Sequence, residues 1–91
     1  MTHPIQVPPP GYELGREWTQ GSTKYYALYR KDPAPIPGGR LMYVAAVQVI
    51  ADDRPSPVLE IAMERSWDAE TAIGAARSVL SRYFGLMREG P

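Results

Sequence analysis

The apolar residues of this chain change their spacing once. Up to residue 65 they recur at every second position; from Ser66 they recur at steps of three and four. Period two is a β-strand with two faces, and period 3.6 is one stripe of an α-helix. The chain therefore holds several strands and then one helix. A lone helix shields only one side of a sheet, so the strands themselves must show what happens on the other side.

Four period-two segments precede the helix. Residues 12–20, YELGREWTQ, alternate Tyr12, Leu14, Arg16 and Trp18 against Glu13, Gly15, Glu17 and Thr19, with Gly15 a position for a bulge. QGST at 20–23 is a turn, and 24–31, KYYALYRK, is the second strand. DPAPIPGG at 32–39 holds three prolines and two glycines, which exclude strand and helix alike and leave a loop. RLMYVAAVQVI at 40–50 is the third strand, ADDRPSP at 51–57 a turn, and VLEIAMER at 58–65 the fourth strand. Beyond it Ala69, Ala72, Ile73, Ala76, Leu80, Tyr83, Phe84 and Met87 form one apolar stripe of a helix about 20 residues long. Ser66 or Asp68 caps its start, and Gly85 or Gly90 ends it. The expected fold is α+β: a three- to four-stranded antiparallel meander with one C-terminal helix on one face, β-β-β-β-α. Residues 12–88 make the single domain, and residues 1–11, with four prolines, an extended or disordered tail.

The fourth strand selects the covered face. Glu60 and Glu64 beneath a helix would bury charge, so Leu59, Ile61 and Met63 face inward. Pairing Val49 with Leu59 and Val47 with Ile61 then gathers Leu41, Tyr43, Ala45, Val47 and Val49 into the same layer as Tyr25, Ala27, Tyr29, Trp18 and Leu14. A slip of one residue would reverse strands two and three. The outer face receives Tyr26, Leu28, Met42, Val44, Ala46, Val58 and Ala62, ringed by Lys24, Arg30, Arg40, Gln48, Glu60 and Glu64. An apolar centre inside a charged rim is the anatomy of an interface. That face can meet a partner, lie under the tail through Ile5 and Val7, or stand in water. Partner contact is the expectation, through Tyr26, Leu28, Met42, Val44, Ala46, Arg30 and Arg40, most simply as a homodimer.

Little else in the chain carries chemistry. There is no cysteine, and the one histidine, His3, lies in the tail, so neither a zinc set nor a Cys–His or Ser–His pair is expected. Asp52-Asp53 sits in a turn, where Asp is favoured for backbone hydrogen bonding. Glu60 and Glu64 are about 13 Å apart along a strand, too far for a glycosidase pair. GGR at 38–40 opens no helix and so makes no phosphate loop. No enzyme, cofactor, metal or small-molecule substrate is expected. Ten basic and ten acidic residues cancel, which argues against binding driven by phosphate attraction alone. Eight of the ten cations are Arg, and Ala, Pro and Gly are frequent, as in GC-rich bacterial or phage genes. The N-terminus shows no apolar signal region, and the longest apolar run, LMYVAAVQVIA, is about half a membrane span, so a cytoplasmic, soluble protein is expected.

The β-β-β-α order is similar in outline to the second part of a double-stranded-RNA-binding domain. It also resembles the small arm-binding domains of phage integrases, in which a three-stranded sheet lies in a groove. That likeness implies nucleic-acid contacts by Lys24, Arg30, Arg40, Arg77 and Arg82, although the first helix and lysine-rich helix start of the RNA-binding family are missing. Residues 12–84, through the helix entry SWDAETAIGAAR, resemble small uncharacterised bacterial domains with a meandering antiparallel sheet and one C-terminal helix, which implies the same fold. The expected function is a non-enzymatic interaction module that self-associates or binds a protein through the helix-free sheet face. The alternative is a nucleic-acid-binding domain using that same face.

Overall fold

The computed structural model describes residues 5–32 and 42–87, and of residues 62–64 the backbone alone. The strands are β1 (Glu13–Gln20), β2 (Thr23–Asp32), β3 (Met42–Ala51), β4 (Arg54–Pro55) and β5 (Leu59–Ser66), followed by α1 (Ala69–Tyr83). All pairings are antiparallel: β1 lies beside β2 and β2 beside β3, while β4 and β5 both pair with β3. The chain is thus an α+β meander with one C-terminal helix, as the change of period implies. Arg40, Leu41, the Pro-rich loop, His3, Arg88 and Gly90 lie outside the described residues, as do the side chains of Ala62, Met63 and Glu64.

Two short turns set the register. Gln20 pairs with Thr23 across Gly21-Ser22, where Gly21 takes φ +61°. Ala51 pairs with Arg54 across Asp52-Asp53, whose φ values are +51° and +61°. Two successive left-handed residues match the right-handed twist of a hairpin, and Asp tolerates that conformation better than most side chains. Between these turns Tyr25 stands opposite Trp18 and Val49, Ala27 opposite Val47, and Tyr29 opposite Ala45. These residues pack with Ala72, Ala76 and Leu80 of the helix. The helix therefore covers the face that buried glutamates would have forbidden it to leave. At one margin the rings of Tyr29 and Tyr43 meet edge to face, 5.6 Å apart.

Two residues leave the environment expected for them. The pairing jumps between Leu14–Leu28 and Arg16–Ala27, so β1 is bulged at Gly15. Leu14 is thereby turned out of the helix-covered layer and is 40% exposed. Leu59 keeps its face but is 47% exposed. A helix about 10 Å across cannot cover four strands spaced about 4.8 Å apart, and β5 is the edge strand. Leu59 also pairs with Val47 rather than Val49, because β4 occupies the end of β3. A slide of two residues preserves the face of Leu59 and Glu60, but the pairing then jumps from Ala46–Glu60 to Val44–Arg65, so a bulge in β5 reverses the parity of Arg65 and Ser66.

Asp68, not Ser66, caps the helix. Its Oδ1 accepts the Thr71 N–H at 2.7 Å and its Oδ2 accepts the Thr71 hydroxyl at 3.0 Å. These bonds hold the Asp68 carboxyl below its usual range. Ser66 is instead the buried last residue of β5. At the other end Gly85 takes φ +81°, and the Leu86 N–H returns to the Leu80 carbonyl at 3.1 Å. The helix is 15 residues long rather than about 20, and the stripe frays with it: Tyr83 is 70% exposed and Met87 lies past the last turn. Gln20 ties this end to the sheet, accepting the Met87 N–H at 2.7 Å and donating to the Gly85 carbonyl at 3.4 Å.

Candidate functional site: the helix-free face

The reverse of the sheet has a core of its own. Tyr26, Leu28, Ala46 and Ile50 are each at most 6% exposed and form a second apolar cluster. Val7, Tyr12 and Val58 pack against it. The chain enters along this face, then turns over Pro9–Tyr12, where the Tyr12 N–H meets the Pro9 carbonyl at 3.1 Å and Gly11 takes φ +89°. Ile5 and Val7 line a shallow groove with Lys24, Tyr26, Ile50 and Asp53. An open helix-free face is therefore corrected: the N-terminal segment covers it. Of the residues singled out from the sequence, Tyr26, Leu28, Val44 and Ala46 are buried within the single chain, and Met42 and Arg30 are half-buried.

A line of charge borders this cluster. The Arg30 guanidinium grips both carboxylate oxygens of Glu60, with Nη2 at 3.1 Å from Oε1 and Nε on Oε2. The Tyr12 hydroxyl donates to Glu60 Oε2 at 2.6 Å. Arg30 Nη1 lies 3.8 Å from Asp32 Oδ1, and Arg65 Nε lies 3.1 Å from Asp32 Oδ2. That last contact is an ion pair without an aligned hydrogen bond, since Oδ2 is buried and accepts none. The bonds from Arg30, then Tyr12, hold Glu60 down at about 2. Glu60 in turn raises Arg30 above its usual range. Burial, then Glu60, raises Tyr12, and burial, then Glu17, raises Tyr26. Nearby, the buried Gln48 donates to the Ser56 carbonyl at 3.1 Å, and Ser56 Oγ accepts the Val49 N–H at 3.0 Å. These partners hold the irregular 56–58 segment against β3.

The cations proposed for nucleic acid divide between two surfaces. Lys24 and Arg30 belong to β2, and both stand on the helix-free side by register, opposite Ile50 and Val44. Arg77 and Arg82 belong to the helix on the other side. Among the described residues, no three His, Cys, Asp or Glu side chains gather into a metal set, and no helix is long and apolar enough to cross a membrane. Tyr12 is the residue of this face that alternation misplaces. In sequence it shares the parity of Trp18, but the bulge at Gly15 carries it to the opposite face. The one advance signal was that glycine.

No protein-family model, no curated protein and no solved structure matches the chain.

Proposed function

We propose that this protein is a non-enzymatic interaction module that pairs through its helix-free sheet face, with a second copy as the simplest partner. The observation that carries this reading is the thinness of the cover there. Four buried apolar residues of the sheet are covered, among the described residues, by Val58 and by just two apolar side chains of the N-terminal segment, Val7 and Tyr12. Both are half-buried, and Ile5 beyond them is exposed. Half-burying two such side chains stabilises by roughly 2–3 kcal/mol. A partner that removes several hundred Å² of apolar surface from water, at about 25 cal/mol per Å², offsets the loss of that cover. The charged border then sets orientation, since Arg30, Glu60, Asp32 and Arg65 rim the patch.

Sedimentation over a concentration series, with the full chain and its Val7→Asp variant, tests the reading. Val7→Asp loosens the cover without touching the sheet. Association is expected in both and is expected to be stronger in the variant. Monomers throughout, in both proteins, would remove self-association through this face.

A further inference from the structure

The opposite side of the molecule carries a second feature, independent of the sheet face. A groove of about 470 Å³ runs beside the last turns of α1, and its described lining is Arg77, Ser78, Ser81, Arg82 and Leu86. In sequence the four polar residues are the ends of RSVLSR, positions i, i+1, i+4 and i+5 of one helix. That spacing sets Arg77 beside Ser81 and Ser78 beside Arg82, with the two arginines about 7.5 Å apart along the axis and about 140° apart around it, at the two sides of the groove. Two guanidinium-bearing side chains and two hydroxyls thus border one groove, and its described lining holds no acidic side chain.

Three observations distinguish this groove from an ordinary solvated helix face. Arg77 is held in place, its guanidinium 5.6 Å from the centre of the Trp18 ring. Arg16 lies 5.2 Å from the same ring, so Trp18 is flanked by two guanidinium groups. Ser81 Oγ is buried and has no hydrogen-bond partner, so a donor stands ready with nothing to donate to. Neither Arg77 nor Arg82 pairs with a carboxylate among the described residues. The end of a helix repels anions through its free carbonyls. Here one of those carbonyls is engaged twice, Leu80 O accepting from Phe84 and Leu86.

We infer that this groove binds a small phosphate monoester, with the phosphate on Arg77, Arg82 and the two serine hydroxyls and the carbon skeleton on Leu86. Guanidinium forks match phosphate oxygens in pairs, and hydroxyls complete the set. The volume falls within the range of small-molecule sites, larger than inorganic phosphate alone would fill. Leu86, itself buried, supplies the apolar floor that an ester would touch and free phosphate would not.

Trp18 makes the site readable. The chain has two tryptophans, so Trp67→Phe leaves Trp18 as the only indole, read by exciting at the red edge where the six tyrosines do not absorb. Titrating that variant with butyl phosphate, inorganic phosphate and chloride at matched ionic strength reads the groove directly. A saturable change in emission is expected with butyl phosphate, several-fold tighter than with inorganic phosphate and absent with chloride. Arg82→Gln is expected to weaken binding at least tenfold and Ser81→Ala several-fold, while Lys24→Gln on the other face leaves it unchanged. A response that chloride reproduces, or that Arg82→Gln leaves intact, would overturn the site. Equal affinity for both phosphates would overturn the ester. Should Trp67→Phe fail to fold, the arginine Nε–H resonances of the unmodified chain report the same titration.

Discussion

Gly15 joins the two faces of the molecule at one position. A Cβ built there would lie 2.5 Å from Ile73 Cγ1 and 3.1 Å from the Ala27 carbonyl oxygen. The bulge that flips Leu14 and Tyr12 thus also seats the helix. Gly15→Ala is expected to destabilise the fold by about 1–3 kcal/mol, as overpacking does. Ile73→Ala in the same chain should recover part of that loss, because its side chain supplies the two closest contacts; denaturant midpoints of the two singles and the double check this. Glu60 gives a second prediction. Its carboxyl titrates near 4.5 when unfolded and at about 2 when folded. A depressed folded value means the stabilisation is complete above pH 4.5 and is lost as pH falls toward 2. Glu60→Gln is expected to flatten the stability profile in that window and leave it little changed in slope near pH 7. Neither role was readable in the sequence. Alternation assigns parity but cannot say whether a glycine breaks it, and the partners of Glu60 lie 30 and 48 residues away.

The helix was the part most fully written into the chain, because its signals are local. Period, capping residue and terminating glycine all lie within 20 residues of one another. What those signals could not give was its length, since the stripe continues through Met87 while Gly85 reverses the backbone. The sheet was readable in order and in face. Its details depended on β4 and the 56–58 segment, which slide the start of β5 by two residues and keep its face, and on a bulge between Glu60 and Arg65 that reverses the parity of the strand's end. Local signals make local predictions. Asp68→Ala is expected to cost about 1 kcal/mol, because two bonds from Thr71 lose their acceptor and no neighbouring residue replaces them. Asp68→Ser should retain most of that, and thermal unfolding of both variants separates capping from charge.

Two cores on one sheet explain how 91 residues with no cysteine hold together, yet they are built differently. The helix side is closed by a regular element with its own period, and that side was foreseen. The other side is closed by a segment whose prolines give it no period to read, so its docking had to be seen. The patch it covers was still evident from the strands, because both faces of KYYALYRK carry large apolar groups. The two halves also differ in how each depends on the rest. The helix is tied by Gln20 and the Ile73–Gly15 contact, whereas the N-terminal segment is held by Val7 and by Tyr12, whose hydroxyl bonds Glu60. Removing residues 1–11 should therefore leave the helix-side core folded and open the other. The expected loss is roughly 2 kcal/mol, or about 10 °C in melting temperature for a domain of this size. An apolar dye should bind the shortened chain and not the full one, and the dye response should vanish when Leu28 and Ile50 are both changed to Thr. An unchanged melting temperature with no dye bound would mean that Val58 and the charged border close this face by themselves, and that the proline-rich entry merely rests on it.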